Sequence, residues 1–329
     1  MKKNLSKMSF TTSGYDLTGL QSYVDQLNSD IISEAVLTPQ TMKYCNVVPG
    51  IKGTQNVNLL SETLVVQTGT DCGWESSGDT TFTVAPLTVQ ALKVNQSLCL
   101  QQLNTVWLGQ YLNAGSYNEN VPFEQAIVDL QTKQIKRYNE DLLWNSTSGG
   151  TSFSGFIELL NNTAGVVKLD TLSGYSATTQ ALCSVTGSST VQQAYNVLAQ
   201  IDNIINQFDR NIYGREDLVI FMSQTQFKCY LVAIRNVNNF HFSEPTLGQV
   251  YEVFHPQTNI KVVGVPGLNG SNLIAGGPQQ YFLVGTDLMS DEDSYRMWWS
   301  QDFQEVRMAV NWKLGTAIAF PQFFVTNGL

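Results

Sequence analysis

Histidine is nearly absent from this 329-residue chain: His241 and His255 are the two it has. That leaves general acid–base chemistry few candidates, and both histidines sit in aromatic settings (FHFSEP and VFHPQT) that suit ordinary hydrogen-bonded roles. Charge is scarce too, at 14% of residues, with Asn, Gln, Ser and Thr filling polar positions. A skin so poor in charge suits a protein that lies against further copies of itself, or a secreted β-rich protein. The formal net charge of −9 argues against a chain that grips nucleic acid as a whole, since that needs concentrated Lys and Arg. Lys2, Lys3 and Lys7 form the one basic cluster, read equally as a solvated terminus or a docking element.

The five cysteines (Cys45, Cys72, Cys99, Cys183, Cys229) show no CxxC pair and no Cys/His ligand spacing. Neither a zinc site nor a disulfide framework is indicated, and buried free thiols in a reducing compartment are expected. No apolar run is long enough to span a membrane, and no secretory signal follows the basic start. Nucleophile elbow, phosphate loop, HExxH and kinase motifs are all missing. Asp287, Asp291, Glu292 and Asp293 cluster without the spacing of a calcium loop, so a solvated turn is expected. GLNGSNLIAGG (267–277) matches no dinucleotide fingerprint and reads as a surface loop. No catalytic, cofactor or metal residues are assigned, and an enzyme is the least favoured class.

What is present is structural. Residues 122–144 read as one long helix, with Asn120 as N-cap, Pro122 in the first turn and Glu124 at the positive end of the dipole. Phe123, Ile127, Leu130, Tyr138 and Leu142 form its expected apolar stripe, interrupted by Gln134. Asp129, Lys133, Lys136, Arg137 and Glu140 form the expected polar face. At roughly 1.5 Å per residue the rod spans about 34 Å. Residues 17–35 form an amphipathic segment with Leu20, Val24, Leu27 and Ile31 on one face.

Residues 55–95 read as a long β-hairpin around a Gly-rich tip carrying Cys72, Gly73 and Trp74, with Pro86 at a bend or an edge. A lone hairpin is marginal in water, so this one rests on another subunit or folds back on a local sheet. Leu98–Leu112 reads as a short helix, and the stretch from Phe156 to Gly187 as irregular. A helix capped by Thr190 carries Val191, Tyr195, Leu198, Ile201, Ile205, Phe208 and Ile212 as its stripe. Buried strands at 217–222 and 281–286, a strand running into a Gly/Pro loop at 260–268 and a helix at 225–234 complete a compact α/β unit. The tail from Tyr295 to Val325 alternates apolar and polar residues as a one-sided sheet does.

This order of parts resembles the tailed-bacteriophage major capsid proteins of the Hong Kong 97-type fold, shared with encapsulins. The residues that carry the likeness are LTVQALKVNQSL, the helix ending Leu-Leu-Trp-Asn, and VVGVPGLNG. The resemblance implies an α+β chain in four parts. These are an N-terminal arm (1–45), an extended β-hairpin loop (46–95), a peripheral domain (96–185 and 288–329) with spine helix 122–144, and an axial domain (186–287). It implies a subunit that self-assembles as pentamers and hexamers into an icosahedral shell around DNA, without sequence-specific binding. Assembly would take place in the host cytoplasm and the product would be the virion. Inter-subunit contacts are expected at Cys72, Gly73 and Trp74, at Pro266, Gly267, Leu268 and Asn269, and at Leu20, Val24 and Leu27. With no long extension ahead of the arm, a separate scaffolding protein is expected, with portal and decoration proteins as further partners. No Lys–Asn crosslinking pair is identifiable. An encapsulin-type compartment and a phage tail or decoration protein are the alternatives.

Overall fold

The computed structural model describes residues 39–64, 78–99, 123–149, 153–172, 182–183, 190–237, 251–287, 295–303 and 305–328. Residues 1–38 of the N-terminal arm, the hairpin tip, the expected helix beyond Cys99, His241 and the acidic residues 291–293 lie outside them. Contacts divide the chain into two compact units, residues 1–38, 91–137 and 288–313, and residues 39–90, 138–287 and 314–329.

The larger unit is built on a six-stranded sheet with strand order β5 (Val167–Lys168), β13 (Val325–Thr326), β9 (Ala275–Pro278), β6 (Leu218–Ser223), β8 (Lys261–Val265) and β7 (Glu252–Phe254). Strand β6 is buried along its whole length, as its unbroken apolar sequence LVIFM requires. It runs parallel to β8, joined through helix α4 (Gln224–Val237), and antiparallel to β9. Helix α3 (Val191–Gln207) begins with a full capping box between Thr190 and Gln193 and packs on α4. Ile201, Ile205, Phe208 and Ile212 of the expected stripe are buried, joined by Ala194, Val197, Gln200 and Ile204, while Val191 at the start of the stripe is exposed. The glycine-rich stretch expected to be a surface loop carries β9 into the middle of the sheet. A Cβ at Gly276 would come within 2.7 Å of the Phe208 ring, and one at Gly277 within 2.6 Å of Phe324, so large neighbours exclude any side chain. The stretch expected to be irregular also holds a short helix, α2 (Phe156–Asn162), beside β5.

A second sheet has the order β1 (Asn46–Val48), β10 (Phe282–Thr286), β12 (Glu305–Ile318), β11 (Tyr295–Ser300), with β4 (Gln90–Cys99) also paired to β12. In the larger unit, β10 lies between parallel β1 and the antiparallel Leu314–Ile318 end of β12. In the smaller unit, β11 and the Glu305–Val310 part of β12 form a hairpin. Val306, Met308, Val310 and Trp312 are buried alternately along β12, as the tail pattern predicts.

Helix α1 spans Phe123–Asn145, as expected, and Leu142 of the expected stripe is buried, but two other stripe residues are not. Leu130 and Tyr138 are exposed, whereas Gln131, Thr132, Ile135, Asn139 and Glu140 are buried. In the larger unit Trp144 meets Phe156 and Phe221 at ring-centroid distances of 5.4 and 5.3 Å. Phe221 meets Phe282 at 5.1 Å, and Phe282 meets Phe324 at 4.8 Å. The Trp144–Phe156 pair is tilted and the others are edge-to-face, and together they join the helix end to a strand from each sheet.

The remaining correction concerns sulfur. Cys183 and Cys229 form a disulfide, where free thiols were expected, while Cys45 is a free thiol. A sequence separation of 46 carries no recognisable spacing, and the tertiary fold alone brings the two together.

Candidate functional site

Strands β2 (Thr54–Leu64) and β3 (Gly78–Thr88) pair antiparallel through eleven register positions and form a sheet of their own. Among the described strands they pair only with each other. Pro86 stands opposite Asn56 in this ribbon, where every second N–H points away from the partner. The second arm expected from sequence is divided at Val89: the ribbon ends at Thr88, and β4 leaves it to join β12.

The base of the ribbon is clamped. Ala85, Leu87 and Val89 are buried while Val84, Pro86 and Thr88 face outward, the period of two that a half-covered strand needs. Those three pack with Ile51, Leu283, Ala317 and Ala319 in a cluster separate from the α/β core. The Val89 N–H donates to the Gly53 carbonyl at 3.0 Å, and the Ile51 N–H donates to the Thr286 carbonyl at 3.1 Å. Two glycines admit the ribbon. A Cβ on Gly315 would overlap the Thr88 carbonyl oxygen, and one on Gly285 would stand 2.8 Å from Val89 and 3.1 Å from Leu87. Leu87 and Val89 stand in the motif LTVQALKVNQSL, but no anchoring role was read for any of these residues, although the alternation Ala85-Leu87-Val89 inside TVAPLTVQ is the signal that marks it.

The loop at Pro266–Leu268 is a 3-10 turn held inside the larger unit. Gly267 and Leu268 are buried; Asn269 is exposed and pairs with Gln224, accepting its N–H at 3.1 Å and donating to its Oε1 at 3.1 Å. Gly267 lies so close to α1 that a Cβ would sit 2.5 Å from the Glu140 carbonyl oxygen and against the Trp144 ring. The Asn145 amide donates to the Gly267 carbonyl at 2.8 Å. Beside it, the buried Glu140 carboxylate accepts from the Thr41 N–H at 3.0 Å and the Thr41 hydroxyl at 2.5 Å, while Trp144 Nε1 donates to that hydroxyl at 2.7 Å. Burial pushes the Glu140 carboxyl above its ordinary value, and the hydrogen bonds from Thr41, Gly267 and Gln40 oppose the shift. Glu140 was expected on the solvated face. It is instead the knot joining the segment after the arm, the end of the spine helix and the Pro266–Leu268 turn. Cys72, Gly73, Trp74, Leu20, Val24 and Leu27 lie outside the described residues.

His255 occupies the ordinary role expected of it: Nδ1 is 2.9 Å from the Tyr230 hydroxyl and Nε2 is 3.2 Å from Asp202. Among the described residues no group of three or more His, Cys, Asp or Glu is arranged to hold a metal. No helix among them is long and apolar enough to cross a membrane.

A two-stranded ribbon is thus clamped at its base against β10 and the end of β12, in the same unit as the α/β core and the end of the long helix. Solved structures carry the same fold. The satellite phage P4 procapsid including size determination (Sid) protein is similar over 92% of this chain and 98% of that one, at 13% identity and a TM-score of 0.51. The capsid of an empty GTA particle is similar over 89% of each chain, at 11% identity and a TM-score of 0.51. A structure from Mycobacterium phage Ogopogo is similar over 87% of this chain and 90% of that one, at 12% identity and a TM-score of 0.53. No family model and no curated protein matches the sequence. The chain has the Hong Kong 97-type capsid fold; at these identities the likeness is one of architecture.

Proposed function

We propose that this chain is the major capsid protein of a tailed bacteriophage, assembling as pentamers and hexamers into an icosahedral shell around the DNA genome. The observation that carries the reading is the ribbon β2–β3, clamped at its base and paired with no other described strand. A two-stranded ribbon is marginal in water, and a neighbouring copy supplies the surface it lacks. Residues 46–95 then act as the extended loop, with Trp74 at the tip on the next subunit, and the 186–287 domain gathers at the vertices. Interfaces of the order of 2,000 Å² or more per neighbour suit an obligate assembly. Pro266 and Asn269 stay available as loop contacts, while Gly267 and Leu268 serve by holding that loop to the spine helix.

A separate scaffolding protein and a portal complete the assembly, which takes place in the host cytoplasm. The net charge of −9 fits an inner wall that repels DNA and lets it slide during packaging. Electron microscopy of the purified protein is the direct test. Closed shells support the reading, and tubes or small discrete particles overturn it. Nuclease-protected DNA inside native particles separates a phage capsid from an encapsulin-type compartment loaded with protein.

A further inference from the structure

We propose that Cys183 and Cys229 form a reversible thiol–disulfide site, closed on the already folded chain by exchange with a small-molecule disulfide of the glutathione type, with Gln226 as the positioning residue. The two cysteines are joined in the structure, yet the ties that bring them together do not involve sulfur. The Cys183 N–H donates to Gln226 Oε1 at 3.2 Å, and Gln226 Nε2 donates back to the Cys183 carbonyl at 2.8 Å. Gln226 is fully buried and fixed in turn: its own N–H donates to Ser223 Oγ at 3.3 Å, and Nε2 also donates to Asn272 Oδ1 at 3.1 Å. Cys229 follows Gln226 by three positions on α4, so both side chains lie on one face of that helix. Leu182, next to Cys183, is packed in the core of the same unit. One side-chain amide therefore holds the backbone of Cys183 one turn from the second thiol, whether or not the bond is present.

The burial is unequal, and it sets the order of events. Cys183 is 1% exposed, while Cys229 is half-buried on the outer part of the core. The Cys229 thiolate attacks the small disulfide, forming a mixed disulfide and releasing one thiolate. The Cys183 thiolate then attacks the Cys229 sulfur and displaces the second small thiol. Two protein thiols are oxidised, one small disulfide is reduced to two thiols, and the two protons given up by the protein thiols pass to the two released thiolates. Reduction retraces these steps, beginning with attack of an external thiolate on the Cys229 sulfur. The fold thus stands in a reducing compartment and gains a covalent tie between the Leu182–Cys183 segment and α4 in an oxidising one.

The test uses the full-length protein with oxidised glutathione, read by mass spectrometry. Cys183→Ser should accumulate a glutathione adduct at Cys229, and Cys229→Ser should leave Cys183 unmodified under the same conditions. Gln226→Leu should slow closure from the mixed disulfide by roughly tenfold or more, while adduct formation at Cys229 keeps its wild-type rate. Native circular dichroism in excess reductant is expected throughout. Equal modification of both cysteines, preferential modification of Cys183, unchanged closure in Gln226→Leu, or loss of the fold on reduction would each overturn the proposal.

Discussion

Truncating Leu87 to alanine separates the ribbon's anchor from the fold that carries it. Leu87 is fully buried among Ile51, Ala85, Val89, Leu283, Ala317 and Ala319. Leu→Ala in a closed core costs roughly 2–5 kcal/mol, and the value within that range depends on how far the surroundings collapse. Here three of the neighbours are alanines, and two close approaches, at Gly285 and Gly315, are made by backbone already in contact. Little is left to move into the vacated volume, which places the cost at about 3–4 kcal/mol. The cluster is distinct from the α/β core, so the loss should fall on the ribbon. In amide hydrogen exchange, protection at Val57, Leu87 and Val89 should drop by roughly a hundred- to a thousandfold, while β6 and β8 keep theirs. Shell yield by electron microscopy should fall with it. Val84→Ala on the outward face is the control, expected to change stability by less than about 0.5 kcal/mol. Unchanged protection in Leu87→Ala, or an equal loss in β6 and β8, would refute the anchor.

Gly267→Ala should destabilise by about 2 kcal/mol or more, read from urea midpoints, since its Cβ meets the Glu140 backbone and the Trp144 ring, neither of which can give way. Glu140 has a folded pKa above its unfolded one, so its contribution is fully present below the ordinary carboxylate range and is lost as pH rises through the folded value. Wild-type urea midpoints should therefore rise on acidification toward that range relative to Glu140→Gln, and parallel curves would refute the assignment. Thr190→Ala removes the side-chain half of the capping box at α3, the hydroxyl that accepts from the Gln193 N–H, and should cost about 1 kcal/mol in thermal unfolding.

The sequence and the structure agree where a signal is local. Proline, the acidic first turn and length mark α1; the Thr190 cap marks α3; an unbroken apolar run marks β6. Faces were harder to read, because they depend on partners far away in the chain. Glu140 looks like a solvated residue until Thr41 and Gly267 are placed beside it. Leu130 and Tyr138 look like core, yet the helix turns Gln131, Thr132 and Asn139 inward instead. Gly276 and Gly277 read as loop because their lack of a side chain is ambiguous: the same residue suits a turn or a strand crowded by Phe208 and Phe324. The disulfide was invisible for a related reason, since its spacing is a product of the fold.

The ribbon also makes a claim that links folding to assembly. Its eleven register positions extend it by about 34 Å, while the described anchoring side chains are confined to its base, at Ala85, Leu87 and Val89. Backbone pairing between two strands contributes little unless a face is covered. If a neighbouring copy covers it, ribbon stability becomes a function of subunit concentration, because binding to the paired state alone stabilises that state by mass action. Exchange protection in Thr54–Leu64 and Gly78–Thr88 should rise on assembly, while protection in β6 and β8, buried within one chain, should not. Ribbon protection that is already complete in isolated subunits and unaltered in shells would mean that the strands satisfy themselves, and the shell reading would lose the observation on which it rests.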